Sequence, residues 1–302
     1  MRHSLSVLMQ NAIILQYQLP HNASGVIIPR ASISTRNDDC LKQLGTNQDI
    51  ANLIYNGIVE YAYNDNEIDL AKLNELQIRA LMSKLRYNPS ASPQIQLSYG
   101  FQGEVLLHLI LEYYYHAHKA IARGYMYSPL ENSEIKGYDS YLMIEGDTSI
   151  DLYFGEAKFY LNGYRKSLES IFDSINVALS DDYLERNFIA FDNQYEHLYS
   201  DSKISSVIDA WRDNPTINLI QEIKKYSMRL VYPMLVIFDN KAKTYDELIL
   251  KVITYINNNY TTIQSKLSIP YTLFFILLPV DDSRNIKNQV LTWIKQKQPL
   301  MP

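Results

Sequence analysis

Residues Gly103–Ile121 read as a helix that is apolar around nearly its whole circumference, with Val105, Leu106, Leu107, Leu109, Ile110, Leu111, Tyr113 and Tyr114 spread over every face. Such a helix has no side to offer to water, so it predicts an element buried inside the fold. Three strand expectations come after it, Tyr125–Pro129, Tyr138–Ile144 and Ile150–Phe159, and Gly146-Asp147 marks a hairpin turn between the last two. A helix is expected from Arg165. Tyr232–Phe238 and Tyr271–Leu278 read as central strands separated by a helix around Tyr245–Tyr255, and an amphipathic helix covers Asn285–Lys297. Strands alternating with helices predict an α/β layered fold.

The first third reads differently. It mixes short apolar runs (Val7–Leu15, Gly25–Ile28) with a polar loop and a helical pattern over Ile68–Leu85. Asn88-Pro89-Ser90-Ala91-Ser92-Pro93 suits a linker, because its prolines and small polar residues disfavour helix and central strand. The expected division is therefore an N-terminal α+β extension over 1–95, assigned to partner binding, and a main domain over 96–302. The 302 residues allow one large domain or two modest ones.

Composition bounds the compartment and the partners. Tyr271–Val280 is too short to span a bilayer, and Gln10, Asn11 and Gln16 interrupt any signal-peptide core, so no membrane association is expected. The single cysteine, Cys40, excludes an intramolecular disulfide or a multi-cysteine zinc site and fits a cytoplasmic protein. A formal charge of -5 gives no overall attraction for polyanions, so nucleic-acid contact needs a local patch or a partner's surface. Neither GxxxxGK[ST] nor GxGxxG occurs, which argues against a nucleotide cofactor bound by this chain.

Asp151-Leu152-Tyr153-Phe154-Gly155-Glu156-Ala157-Lys158 is the most informative stretch. On a strand, Glu156 and Lys158 share a side and follow the apolar Ile150, Leu152 and Phe154 of that same side. A hairpin would set Asp139 of the preceding strand beside Glu156. Two adjacent carboxylates repel unless a proton or cation intervenes, and oxygen ligands suit Mg²⁺ or Mn²⁺. Glu104, near the start of the buried helix, adds a third carboxylate that needs a partner such as Lys158 or the metal.

In this order, a helix with Glu104, a strand with Asp139 and a strand with Glu156-x-Lys158, the residues resemble the PD-(D/E)xK nuclease superfamily. More narrowly, Gly103-Glu104-Val105-Leu106-Leu107, Lys136-Gly137-Tyr138-Asp139 and Gly155-Glu156-Ala157-Lys158-Phe159-Tyr160 resemble the motifs of the HamA family, nuclease subunits of the Hachiman anti-phage defence system. Tyr138 stands where the superfamily's name has proline. The resemblance implies a restriction-endonuclease-like core, a central mixed sheet flanked by helices, that hydrolyses DNA phosphodiesters. It implies that Asp139, Glu156 and Glu104 hold Mg²⁺ or Mn²⁺, that Lys158 positions or activates the attacking water, and that a HamB-like helicase subunit controls the nuclease. Lys136, Arg165 and Lys166 flank the site and could bind phosphates. The competing expectations are a non-catalytic docking subunit of a helicase complex, and a stand-alone endonuclease, against which the missing sequence-reading module counts.

An acid-x-Lys tripeptide alone is a weak signal. Glu134-Ile135-Lys136, Glu222-Ile223-Lys224 and Asp201-Ser202-Lys203 fit surface charges, and Asp239-Asn240-Lys241, at the end of an apolar strand, is the strongest rival. His108, His116 and His118 lack metal-ligand spacing and read as core or helix-surface residues. Tyr113-Tyr114-Tyr115 reads as packing.

Overall fold

The computed structural model describes residues 1–16, 39–128, 133–134, 137–161, 163–194, 203–212, 218–242, 244–259 and 263–301. The chain opens with α1 (His3–Ala12), β1 (Ile13–Gln16), β2 (Asp39–Gln43), α2 (Asn47–Ala62), α3 (Leu73–Ser83), α4 (Pro93–Ser98) and α5 (Phe101–Tyr114). The short strands β3 (His118–Lys119), β4 (Tyr127–Ser128) and β5 (Ser133–Glu134) lead to the hairpin β6 (Ser140–Glu145) and β7 (Ile150–Phe159). Then come α6 (Tyr164–Ala178), α7 (Asp181–Asn193), α8 (Lys203–Arg212), α9 (Leu219–Lys225), β8 (Met228–Asp239), α10 (Tyr245–Asn259), β9 (Tyr271–Val280) and α11 (Ser283–Gln296). The apolar run Gly25–Ile28 lies outside the described residues.

Among the described residues a seven-stranded sheet runs β1-β2-β9-β8-β7-β6-β3. β2, β9, β8 and β7 are mutually parallel, while β1, β6 and β3 pair antiparallel, so the sheet is mixed. Helices flank both faces, and the protein is α/β. β8 sends Leu230, Tyr232, Met234, Val236 and Phe238 to one face, with α6 and α10, and Val231, Leu235 and Ile237 to the other, with α2, α5 and α11. A strand buried on both sides has no polar alternation to show, which explains its continuous apolar run.

The all-round apolar character of α5 has the same origin. It lies between the sheet and α2, with Phe101–Leu111 buried throughout. The helix is shorter than its sequence pattern predicts: it stops at Tyr114, and His116 turns the chain in the left-handed region (φ 55°) so that His118 reaches the edge strand β3. The three histidines therefore do not share a helix. Tyr114 donates to the Ile13 carbonyl (2.7 Å) and Tyr115 packs on Phe274, so the tyrosine run is packing. The strand expected at Tyr125–Pro129 is a 3₁₀ turn over Arg123–Met126 followed by the two-residue β4, and Pro129 lies outside the described residues. The helix expected over Ile68–Leu85 is regular only over Leu73–Ser83, preceded by 3₁₀ turns at Asp65–Glu67 and Leu70–Lys72.

Residues 1–95 share their packing with the rest of the chain. β2 pairs with β9, Cys40 opposite Leu277, and α2 packs on α5 and α11 within one apolar cluster. Among the described residues no helix is long and apolar enough to cross a membrane.

Gly155 is a place where the hairpin packs closely on α5. A Cβ there would stand 2.6 Å from Ser140 Oγ and 2.7 Å from Leu107 Cδ2. Gly155→Ala should destabilise the protein by about 1–3 kcal/mol through overpacking, read as a lower midpoint in urea; an unchanged midpoint would contradict this packing.

Candidate active site

The hairpin register places Asp139 beside Glu156. Ser140 pairs with Gly155, and one residue further on Asp139 N–H donates to the Gly155 carbonyl (2.9 Å). The Asp139 carboxylate turns back to accept from Ala157 N–H at 2.8 Å. Tyr138 is buried and stacked on Phe154 (centroids 4.6 Å apart, 2° between planes). Its N–H donates to the Tyr141 hydroxyl (3.1 Å), a bond proline could not make.

Along β7, Ile150, Leu152 and Phe154 enter the core on the α6 side, and Glu156 and Lys158 continue that parity at the strand's C-terminal end. The Lys158 ammonium donates to Glu156, and the pair keeps 20% and 16% exposure, enough for solvent to reach it. The opposite parity, Ala157 and Phe159, packs against α5, where Gly103 allows the helix to approach: its Cβ would stand 3.1 Å from Phe159 Cβ. The next residue, Glu104, is 7% exposed and accepts a short hydrogen bond from the Tyr61 hydroxyl of α2. The Tyr61 hydroxyl is thus one partner of the Glu104 carboxylate.

Burial raises the Asp139 carboxyl well above the usual carboxylate range, and the Glu156 and Glu104 charges raise it further, against Lys158 and the Ala157 N–H. Burial alone would lower Lys158, but Glu156 and Asp139 outweigh it and hold the ammonium above its ordinary value. Three carboxylates and one ammonium thus act on one another. Glu104, Asp139 and Lys158 line a cavity of about 310 Å³ together with Lys166 and Lys287. As the side chains stand, no group of three or more His, Cys, Asp or Glu among the described residues is placed to hold a metal ion. Lys158 engages Glu156 and Tyr61 engages Glu104. The donor set itself, three carboxylates of which Glu156 and Glu104 raise the proton affinity of Asp139, has the chemistry a hard divalent cation takes.

The flanking cations separate. Lys166 lines the site cavity, whereas Arg165 lies 5.8 Å over the Tyr255 ring in another cleft, and Lys136 is outside the described residues. Two further residues of the site, Tyr61 and Lys287, fall outside the sequence expectation. Tyr61 is one of 25 tyrosines and carries no local signal. Lys287 has one: it precedes Val290, Leu291 and Ile294 by three, four and seven residues, which puts it on the buried face of α11.

The rival tripeptides have other partners. Asp239 accepts from Ser283 N–H at the start of α11 (2.9 Å) and sits 3.5 Å from an exposed Lys241. Glu222 pairs with Lys225 on α9; the side chain of Glu134 and residues Lys136, Asp201 and Ser202 lie outside the described set. Asp239→Ala should cost about 1–2 kcal/mol from the lost charged acceptor and leave the chemistry of the β7 site untouched. A catalytic loss with retained folding would promote Asp239 to a site residue. His108 is buried, 3.6 Å from Glu112, and burial pushes it well below its ordinary value, so it is a neutral core residue.

No curated protein and no solved structure matches the chain. The HamA family model matches residues 37–294, a span that takes in Tyr61, Glu104, Asp139, Glu156, Lys158 and Lys287. With a match over most of its length, on which the helix and hairpin carrying these residues both fall, the chain belongs to the HamA family.

Proposed function

We propose that this protein is the divalent-metal-dependent deoxyribonuclease of a Hachiman anti-phage defence system, built on a PD-(D/E)xK core and controlled by a helicase partner. Membership of the HamA family implies the defence role and the helicase. The observation that carries the nuclease reading is the hairpin register, which sets Asp139 beside Glu156 with Lys158 two residues on. The buried Glu104 lines the same cavity as Asp139 and Lys158.

Asp139, Glu156 and Glu104 are the residues that would hold Mg²⁺ or Mn²⁺. When bound, such an ion lowers the pKa of water and offsets charge on phosphate. Lys158, kept protonated by its acidic neighbours, presents a compact positive charge to the phosphate and orients the attacking water. Tyr61 fixes the Glu104 carboxylate through its hydroxyl. Apolar packing on both faces of β7 holds the Glu156–Lys158 spacing rigid.

The helicase contact is proposed for residues 1–95. The purified complex of this chain with the helicase should cut DNA in Mg²⁺ or Mn²⁺ and stop in EDTA. Cleavage that persists in EDTA refutes the metal dependence, and none under any activating condition refutes the nuclease reading.

A further inference from the structure

Lys287 of α11 is 2% exposed, and its Nζ donates to the carbonyls of Leu97 (3.0 Å) and Tyr99 (3.3 Å). It lies 5.0 Å from the centroid of the Phe159 ring. Burial pulls it down to about 8, and no carboxylate acts in the other direction. A buried ammonium satisfied only by neutral acceptors is an expensive way to pack a helix, and methionine would fill similar space without the desolvation cost. The ammonium has three N–H donors, and the two carbonyls account for two. Lys287 also lines the cavity that holds Glu104, Asp139, Lys158 and Lys166. A cation without an acidic partner, on the wall of a site read as phosphodiester-cleaving, has the chemistry to receive an incoming anion.

Resting on the nuclease reading, we propose that Lys287 is a phosphate-binding residue of this site, donating to a non-bridging oxygen of the nucleic-acid backbone next to the phosphate that Lys158 faces. Its two carbonyl bonds fix the head group, so the third donor is positioned before the strand arrives.

The test measures binding of the full chain to a short fluorescein-labelled DNA duplex over a series of salt concentrations, with Ca²⁺ replacing Mg²⁺ so that the DNA stays intact. Lys287→Gln keeps an amide donor for Leu97 and Tyr99, and Lys287→Met removes every donor. Both should weaken binding about tenfold or more. Both should also lower the slope of log K against log salt by about 0.9, the signature of one lost phosphate contact. Weaker binding at unchanged slope would show that Lys287 only braces the 97–99 turn, and overturns the proposal. So do unchanged affinity and slope, absence of salt-dependent binding by the wild type, or failure of both variants to fold. Cleavage in Mg²⁺ is scored separately. A changed slope without cleavage in the activated complex sinks the nuclease reading and keeps the anion site, while cleavage with an unchanged slope sinks Lys287 alone.

Discussion

Glu156→Ala and Lys158→Ala should each reduce DNA cleavage by the activated complex at least about 10²-fold, the scale on which a single charge-stabilising group contributes to a transition state. The two variants should differ in stability. Asp139 is held well above the ordinary carboxylate range by burial, with Glu156 the next contributor, so removing Glu156 relieves repulsion and the melting temperature at neutral pH should stay level or rise. Removing Lys158 takes the ammonium from among Glu156, Asp139 and Glu104. Because its folded-state pKa is raised, the lysine stabilises the fold below its unfolded value and through neutral pH, and Lys158→Ala should melt lower. In both variants the thermal shift that Mn²⁺ produces by binding the folded state should shrink or vanish. Wild-type cleavage by folded Glu156→Ala would end the assignment of this site. A Lys158→Ala protein more stable than Glu156→Ala would contradict the electrostatics.

The hairpin was readable because local rules decide it: alternation along Ile150–Phe159, a Gly-Asp turn, and a strand pattern over Tyr138–Ile144 before it, which the structure draws as Ser140–Glu145. The structure draws β7 with those same bounds and brings Asp139 next to Glu156, one residue before the pair Ser140–Gly155. What was not readable depends on distant pairing. β2 is a polar five-residue strand that joins the sheet beside β9, more than two hundred residues away, and nothing in Asp39–Gln43 announces that neighbour. The end of α5 was hidden for another reason. Tyr113, Tyr114 and Tyr115 carry the apolar pattern through the last helical turn and onto its C-cap, and the chain turns at His116 without glycine or proline to mark it. The partner of Glu104 was hidden because Tyr61 comes from α2, forty-three residues earlier, through tertiary packing alone. Lys287 is the instructive omission, since its spacing to Val290, Leu291 and Ile294 already placed a cation on a buried face.

Asp139→Asn should give a protein that is more stable at neutral pH and catalytically dead. The amide keeps the acceptor that Ala157 N–H uses at 2.8 Å, so the hairpin should be undisturbed. It also offers an N–H₂ where the native carboxylate meets the charges of Glu156 and Glu104. The pH dependence comes from the direction of the shift. The folded-state pKa lies well above the unfolded value of about 3.9, so between the two the native state binds a proton that the unfolded chain has released. Wild-type stability from this group is therefore fully present below the unfolded value and is lost as pH rises through the folded one. An asparagine does not titrate, so the variant should melt with the wild type near the bottom of that window and progressively above it as pH increases. Activity should fall about 10²-fold or more, because a neutral amide oxygen replaces an anionic donor. Were Asp139 only a strand-end hydrogen-bond acceptor, the same substitution would leave cleavage intact while the pH-dependent gain in stability, which burial and the Glu156 and Glu104 charges produce, remained. Calorimetry across the acid-to-neutral range, with cleavage assays on the same preparations, separates the cases, and an active Asp139→Asn protein would remove this carboxylate from the proposed metal-binding set.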